Sequence, residues 1–307
     1  MSSQHTAGTR PSWVDADLFP FESHFVELGG HVVHYVDEGS GPILLMLHGN
    51  PTWSFVYRDV IRSLRDQFRC VALDYPGFGL SVAAPGYRYQ PADHAGVVVE
   101  FLDRMDLSDV TLVAHDWGGP IGLFTAERRS NRFQRIVLAN TWAWPTNGEL
   151  RAEIASRVMG GPIGRELIRR FNLFVNALIP AGHRRRKVSQ TEMNHYREAL
   201  DTWERRNACA ILPGAITGSR EFLAGIEGNL QLLDNLPTLI VWADRDVAFS
   251  DKDRERLEEK FPDHTTVVVK GAGHFVQSDA ADEMSEAIRS WWSGSVADKA
   301  PDRGADR

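Results

Sequence analysis

The sequence predicts an α/β protein: an eight-stranded, mostly parallel sheet flanked by helices, with a helical cap inserted once into the alternation. Three observations predict it. Short, nearly continuous apolar runs recur with the length and β-branched content of strands buried on both faces. Amphipathic stretches separate most of them, as the crossovers of a parallel sheet require. From about residue 142 to 212 the alternation stops, and helical patterns follow one another without a convincing strand.

The first two strand patterns, HFVELGG (24–30) and HVVHYVDEG (31–39), are β-branched or alternating and meet at a Gly pair suited to a hairpin, so the sheet opens antiparallel. PILLML (42–47), RCVALD (69–74), VTLVAHD (110–116), QRIVLAN (134–140), PTLIVWAD (237–244) and TTVVVKG (265–271) then read as buried parallel strands. Helices are expected over Phe55–Leu64, Pro91–Met105, Pro120–Arg128, Ser250–Lys260 and Ala281–Trp292. Ser250 followed by Asp253 supplies an N-cap and an acid in the first turn. In the insertion, Glu149–Met159, Arg165–Ile179 and Thr191–Ala208 carry helical periodicity. The core domain is thus expected over 11–141 and 213–294 and the cap over 142–212. Residues 1–10 and the tail 295–307 (SVADKAPDRGADR) lack hydrophobic periodicity and are expected to be disordered.

Composition narrows the function. The 307 residues are 43% hydrophobic and 24% charged, ordinary for a globular protein, and the net charge of −7 provides no basic surface for nucleic acid. The longest apolar runs fall far short of the roughly 20 residues that span a bilayer. MSSQHTAGTR has no apolar segment of a secretory signal, and with only two cysteines a reducing, cytoplasmic location is expected. Cys70 and Cys209 read as small core residues.

The densest chemical signal is VTLVAHDWGG (110–119): a buried strand, a tight turn and a helix start, the nucleophile-elbow pattern with Ala114 and Gly118 as small flanks. Asp116 stands at the nucleophile's position. An Asp is already ionised at neutral pH and needs no base in order to attack. On an ester carbonyl it would form a reactive anhydride; on a saturated carbon it forms an alkyl ester that water can cleave at the enzyme's own carboxyl carbon. The expected substrate therefore carries an sp³ carbon with a leaving group. His274, in GAGHFVQ (271–277) after the last strand, is the expected general base. Asp246 in VWADRD (241–246) is favoured over Asp244 as the acid that orients it, in the chain order nucleophile, acid, histidine.

LHGNPTW (47–53) follows the third strand, where backbone amides of Asn50 and Trp117 would face an ester oxyanion. Their side chains can each donate an N–H to a departing anion without surrendering a proton, which suits a halide. An epoxide oxygen wants an acidic phenol, and the expected cap holds a single tyrosine, Tyr196. Trp144, Phe171, Phe174, Leu178 and Phe275 are expected to line the substrate pocket. HRRRK (183–187) reads as a solvated cap surface. No histidine cluster has metal-ligand spacing, and no dinucleotide loop or P-loop occurs, so no cofactor or metal is expected.

HGNPTW (48–53), DYPGFGLS (74–81), HDWGGP (115–120) and GAGHFVQ (271–277) together resemble the haloalkane dehalogenases, members of the α/β-hydrolase fold. The resemblance implies Asp116 as nucleophile, His274 as base, and Asn50 with Trp117 as the halide clamp. Many members carry a Glu at the end of the sixth strand, where this chain has Asn140, so it resembles the branch whose acid follows the seventh strand. The partner it implies is a halogenated alkane, with a homo-oligomer open. HDWGG is shared with epoxide hydrolases, the alternative expectation; a non-catalytic ligand receptor or a luciferase-like monooxygenase ranks below it.

Overall fold

The computed structural model describes residues 8–297. Its elements run β1 (His24–Leu28), β2 (His31–Glu38), β3 (Ile43–Leu47), α1 (Arg58–Leu64), β4 (Arg69–Leu73), α2 (Pro91–Arg104), β5 (Val110–His115), α3 (Gly118–Arg128) and β6 (Phe133–Ala139). After the insertion of α4 (Leu150–Gly160), α5 (Pro162–Phe171), α6 (Ile179–Ala181), α7 (Gln190–Ala199), α8 (Asn207–Gly218) and α9 (Arg220–Asn229), the sheet resumes. It ends with β7 (Thr238–Ala243), α10 (Asp251–Lys260), β8 (His264–Val269), α11 (Val276–Asp279) and α12 (Ala281–Ala297).

Eight strands form one sheet in the order β1-β2-β4-β3-β5-β6-β7-β8. Only the β1–β2 and β2–β4 pairings are antiparallel. This is the α/β-hydrolase fold. The apolar runs explain the centre: β5 and β7 are buried at every position, and β3 and β4 at all but the first. Because β3 pairs with both β4 and β5, the strand order reverses beside it, and the crevice at such a switch point lies past the strand C-termini. Register brings Leu47, Leu73 and Ala114 level, so the loops that follow open on one edge.

The insertion lies over that edge. α4, α5 and α8 pack on one another, while α9 returns to α3 of the core. The cap boundary expected at 212 falls inside α8, which is a continuous helix packed on α4 and α5. Two expected cap helices are each broken. Asn172 adopts a left-handed conformation (φ +49°) and ends α5, and the chain turns between Leu200 and Arg206 before α8 begins. At the ends, Arg10 is anchored by donating to the Phe19 and Phe21 carbonyls (2.6 Å each), and α12 continues to Ala297. The disorder expected at these two points is therefore corrected; the rest of the expected disordered ends, 1–7 and 298–307, lies outside the described residues. No helix of the described residues is long and apolar enough to cross a membrane.

Candidate active site

β5 delivers Asp116 into the elbow. Its φ of +52° is left-handed, a strained state for a residue with a Cβ, and the neighbours over-determine it. A Cβ on Gly118 would overlap the Leu47 carbonyl, and one on Gly49 would overlap the Asp116 carboxylate itself. Thr141 donates to the Asp116 carbonyl at 2.6 Å, and the Asp116 amide donates to Asn140 O at 3.1 Å. The Asn50 amide donates to Asp116 Oδ1 at 2.8 Å, and the Trp117 amide also hydrogen-bonds the carboxylate. Burial pushes the carboxyl above its ordinary value, opposed by His274 and these two amides.

His274 faces this carboxylate from the loop after β8, its Nε2 4.0 Å from Asp116 Oδ2. Its Nδ1 lies 2.9 Å from Asp246 Oδ2, and the other Asp246 oxygen accepts from the Ala248 (2.6 Å) and Phe249 (3.3 Å) amides. Burial favours the neutral ring, but Asp246 and then Asp116 outweigh it and raise the His274 pKa. Asp246 responds oppositely. Burial would raise it, yet the His274 charge and hydrogen bond and the Ala248 amide hold it below the usual carboxylate range. Asp244 turns elsewhere, accepting the Gly271 amide at 2.6 Å. Asn140 bridges strand ends, its side chain accepting from and donating to Ala243.

Two neutral histidines brace the frame. His115 donates from Nε2 to the His274 carbonyl at 2.8 Å, and burial pushes its pKa down to about 3. His48 accepts the Tyr75 amide at Nε2 (3.2 Å), so its Nδ1 donates to Gly49 O, and burial lowers it to about 4.

The Asn50 side chain meets a residue not expected at the site. Cys209 Sγ donates to Asn50 Oδ1 (3.0 Å), and Asn50 Nδ2 donates to the Cys209 carbonyl (3.3 Å). Burial raises the thiol far above its ordinary value, so it remains a donor. Among the described residues the Trp117 indole N–H has no partner. Its ring is met edge-on by Trp142 (4.7 Å), Trp142 lies against Phe249 (5.4 Å), and Phe249 stacks on His274 (5.9 Å). Trp142 and Phe249 were not singled out from sequence. A signal existed: each lies two or three residues beyond a site position, Asn140 and Asp246.

The expected pocket residues divide. Phe275 packs on His274 (4.8 Å), Phe174 is buried and Leu178 half-buried. Phe171 is 58% exposed rather than buried, on the last turn of α5 just before Asn172 ends that helix. Trp144 is buried beneath the Arg256 guanidinium (4.3 Å), at the edge of α10. Tyr196 lies against Phe55 (5.3 Å) with its hydroxyl beside Arg58. No group of three His, Cys, Asp or Glu among the described residues is arranged to hold a metal.

The fold and this constellation define an α/β hydrolase, and the family described as alpha/beta hydrolase fold matches residues 42–281. Within that class the chain belongs to the haloalkane dehalogenase family. It is 45% identical over 276 residues to haloalkane dehalogenase 2 of Mycobacterium tuberculosis, covering 89% of this chain and 96% of the relative. It is 31% identical over 281 residues to a cis-3-alkyl-4-alkyloxetan-2-one decarboxylase of Shewanella oneidensis (89% and 88% covered). A haloalkane dehalogenase from Bradyrhizobium elkani has the same fold (TM-score 0.82, 23% identity, 91% of this chain and 100% of that one).

Proposed function

We propose that the protein hydrolyses haloalkanes to primary alcohols, halide and a proton through an ester on Asp116. One observation carries this reading: Oδ1 of Asp116 is held by the Asn50 amide, while Oδ2 faces the His274 ring at 4.0 Å. Oδ2 attacks the carbon as the C–X electron pair leaves with the halide, which the Asn50 Nδ2–H and Trp117 Nε1–H receive. A water beside Nε2 then gives its proton to His274 and attacks the carboxyl carbon of Asp116. Oδ1 becomes the oxyanion, held by the Asn50 amide, while Asp246 balances the imidazolium. Collapse breaks the bond from the carboxyl carbon to the alkyl oxygen, which takes the His274 proton and leaves as the alcohol, and the regenerated Asp116 carboxyl ionises to release the net proton.

Purified enzyme should release bromide from short or medium bromoalkanes, and Asp116→Ala should release none. His274→Gln should halt at the ester, with intact mass raised by one alkyl group. The His274 ring sets the pH dependence: ester hydrolysis in the parent should fall with acidification, because the protonated ring cannot act as base, and the Asp246 charge and hydrogen bond, which persist in the ester, move that limb upward against the opposing effect of burial. Absence of halide release from every bromoalkane, with the His274→Gln mass unchanged, defeats the proposal. The name of the Shewanella relative supports a second reading, and carbon dioxide evolved from such an oxetanone without halide release would favour it. Diol formation from an epoxide faster than any halide release would favour the epoxide alternative.

A further inference from the structure

The arginine run of the cap is attached to the core by one carboxylate. Asp279, at the end of α11 and buried, accepts the Arg184 amide (2.9 Å) and the Gly273 amide (2.8 Å) on Oδ2. Its Oδ1 accepts the amides of Arg185 (3.0 Å) and Arg186 (3.2 Å). Gly273 immediately precedes His274. Around this point the same two segments are joined again: His183 Nε2 meets Ser278 Oγ at 3.1 Å, and Arg186 donates to the Ser278 carbonyl at 2.8 Å. A Cβ on Gly273 would overlap the Gly182 carbonyl, so the two backbones touch with nothing between them. The expected solvated surface is therefore only half present. Arg184, Arg185 and Lys187 reach solvent, but their backbone lies on a buried acid, and Arg186 pairs with Glu192.

We propose that Asp279 is a positioning residue for the hydrolytic step, fixing His274 against the Asp116 ester by tying the 271–275 loop to the cap. It touches neither substrate nor reacting atoms. The inference rests on His274 being the base. A carboxylate is needed because both oxygens accept: a carboxamide offers one acceptor, and its NH2 would face either Gly273 or the Arg185–Arg186 amides. In the first case the Gly273 and Arg184 amides are released together; in the second those two keep their acceptor, but the NH2 opposes the Arg185 and Arg186 amides and loosens the cap side of the seam. Attack by Asp116 on the substrate does not use His274, so displacement of the ring should slow only ester hydrolysis.

The test is rapid-quench kinetics on Asp279→Asn with 1-bromobutane as probe, counting active sites by the first-turnover bromide burst. The expected result is a burst rate within about twofold of the parent and ester hydrolysis slowed on the order of 100-fold, the range of a general-base contribution. The acid limb of the hydrolysis pH profile should also move. Asp279→Glu retains both acceptors and the charge one methylene further out; it should fold where the Asn variant does not, and hydrolyse at a rate between Asn and parent, or below the parent if Asn fails. The double variant Arg184→Ala/Arg185→Ala, which retains every backbone bond, should match the parent. Unchanged hydrolysis per active site in both Asp279 variants overturns the proposal, as does loss of hydrolysis in the double arginine variant. If His274→Gln accumulates no ester, the underlying mechanism fails instead.

Discussion

In the proposed mechanism Asn50 has one carboxamide and two tasks, since its N–H meets the leaving anion while its orientation is set by something else. Cys209 sets it. A thiol donor on Oδ1 and a carbonyl acceptor on Nδ2 fix which end of the amide is which and leave one Nδ2 hydrogen for the halide. Removing the donor by Cys209→Ala should weaken bromide binding and raise KM. A hydrogen bond of this kind contributes about 0.5–1.5 kcal/mol, or roughly two- to tenfold in affinity. Cys209→Ser supplies a hydroxyl donor and should restore most of the loss. Tryptophan fluorescence titrated with bromide measures it directly, because Trp117 is the other donor of the proposed clamp. A weakening equal in Ala and Ser would mean that packing, not the donor, is at work.

At the scale of elements, α7 is the cap's second anchor. Its N3 residue Glu192 closes a capping box with Ser189 and also binds Arg58 of α1 and Arg186. Burial would raise this carboxyl, but the Arg186 bonds, the Ser189 amide and the Arg58 charge hold it down at about 2. A depressed folded pKa stabilises the fold above the free-acid value and ceases to do so as pH falls through the folded one. Glu192→Gln should therefore destabilise by about 3 kcal/mol at pH 7, where two cations lose their partner, and by much less near pH 2. Urea denaturation at the two pH values checks the difference; an equal loss at both would mean that charge is not the cause.

The same elements show what was legible in sequence. Strands with both faces covered are written as apolar runs, and each of the eight lies within a residue or two of its pattern. Asp116, His274 and their loops were legible because an elbow needs a small residue on either side. The break at Asn172 was not, since periodicity continues through a left-handed residue until something outside the helix turns the chain. Periodicity alone therefore gives no sign that Phe171, on the last turn of α5, is exposed. Cys209, Trp142 and Phe249 come from three separate segments, and their meeting around Asn50, Trp117 and His274 is a property of packing that no local pattern records.

For the whole molecule, the site is a cost carried by the fold. The sheet places an ionised Asp116 where burial favours its neutral form, on a backbone angle that the surrounding strand ends must enforce. With the folded pKa above the unfolded one, ionisation at pH 7 subtracts from stability, and it does so throughout the range in which the enzyme can act. Asp116→Asn retains the shape, tolerates the left-handed backbone and still accepts the Asn50 and Trp117 amides through its carbonyl oxygen. It should abolish bromide release yet raise unfolding stability by about 1 kcal/mol, the usual scale when a functional strain is relieved. The esterified His274→Gln enzyme loses the same charge by a different route, so its melting temperature should rise above that of the unreacted variant. If neither form gains stability, the amide cradle, which both forms share, compensates the ionised carboxylate as fully as water would, and burial does not set the Asp116 energy.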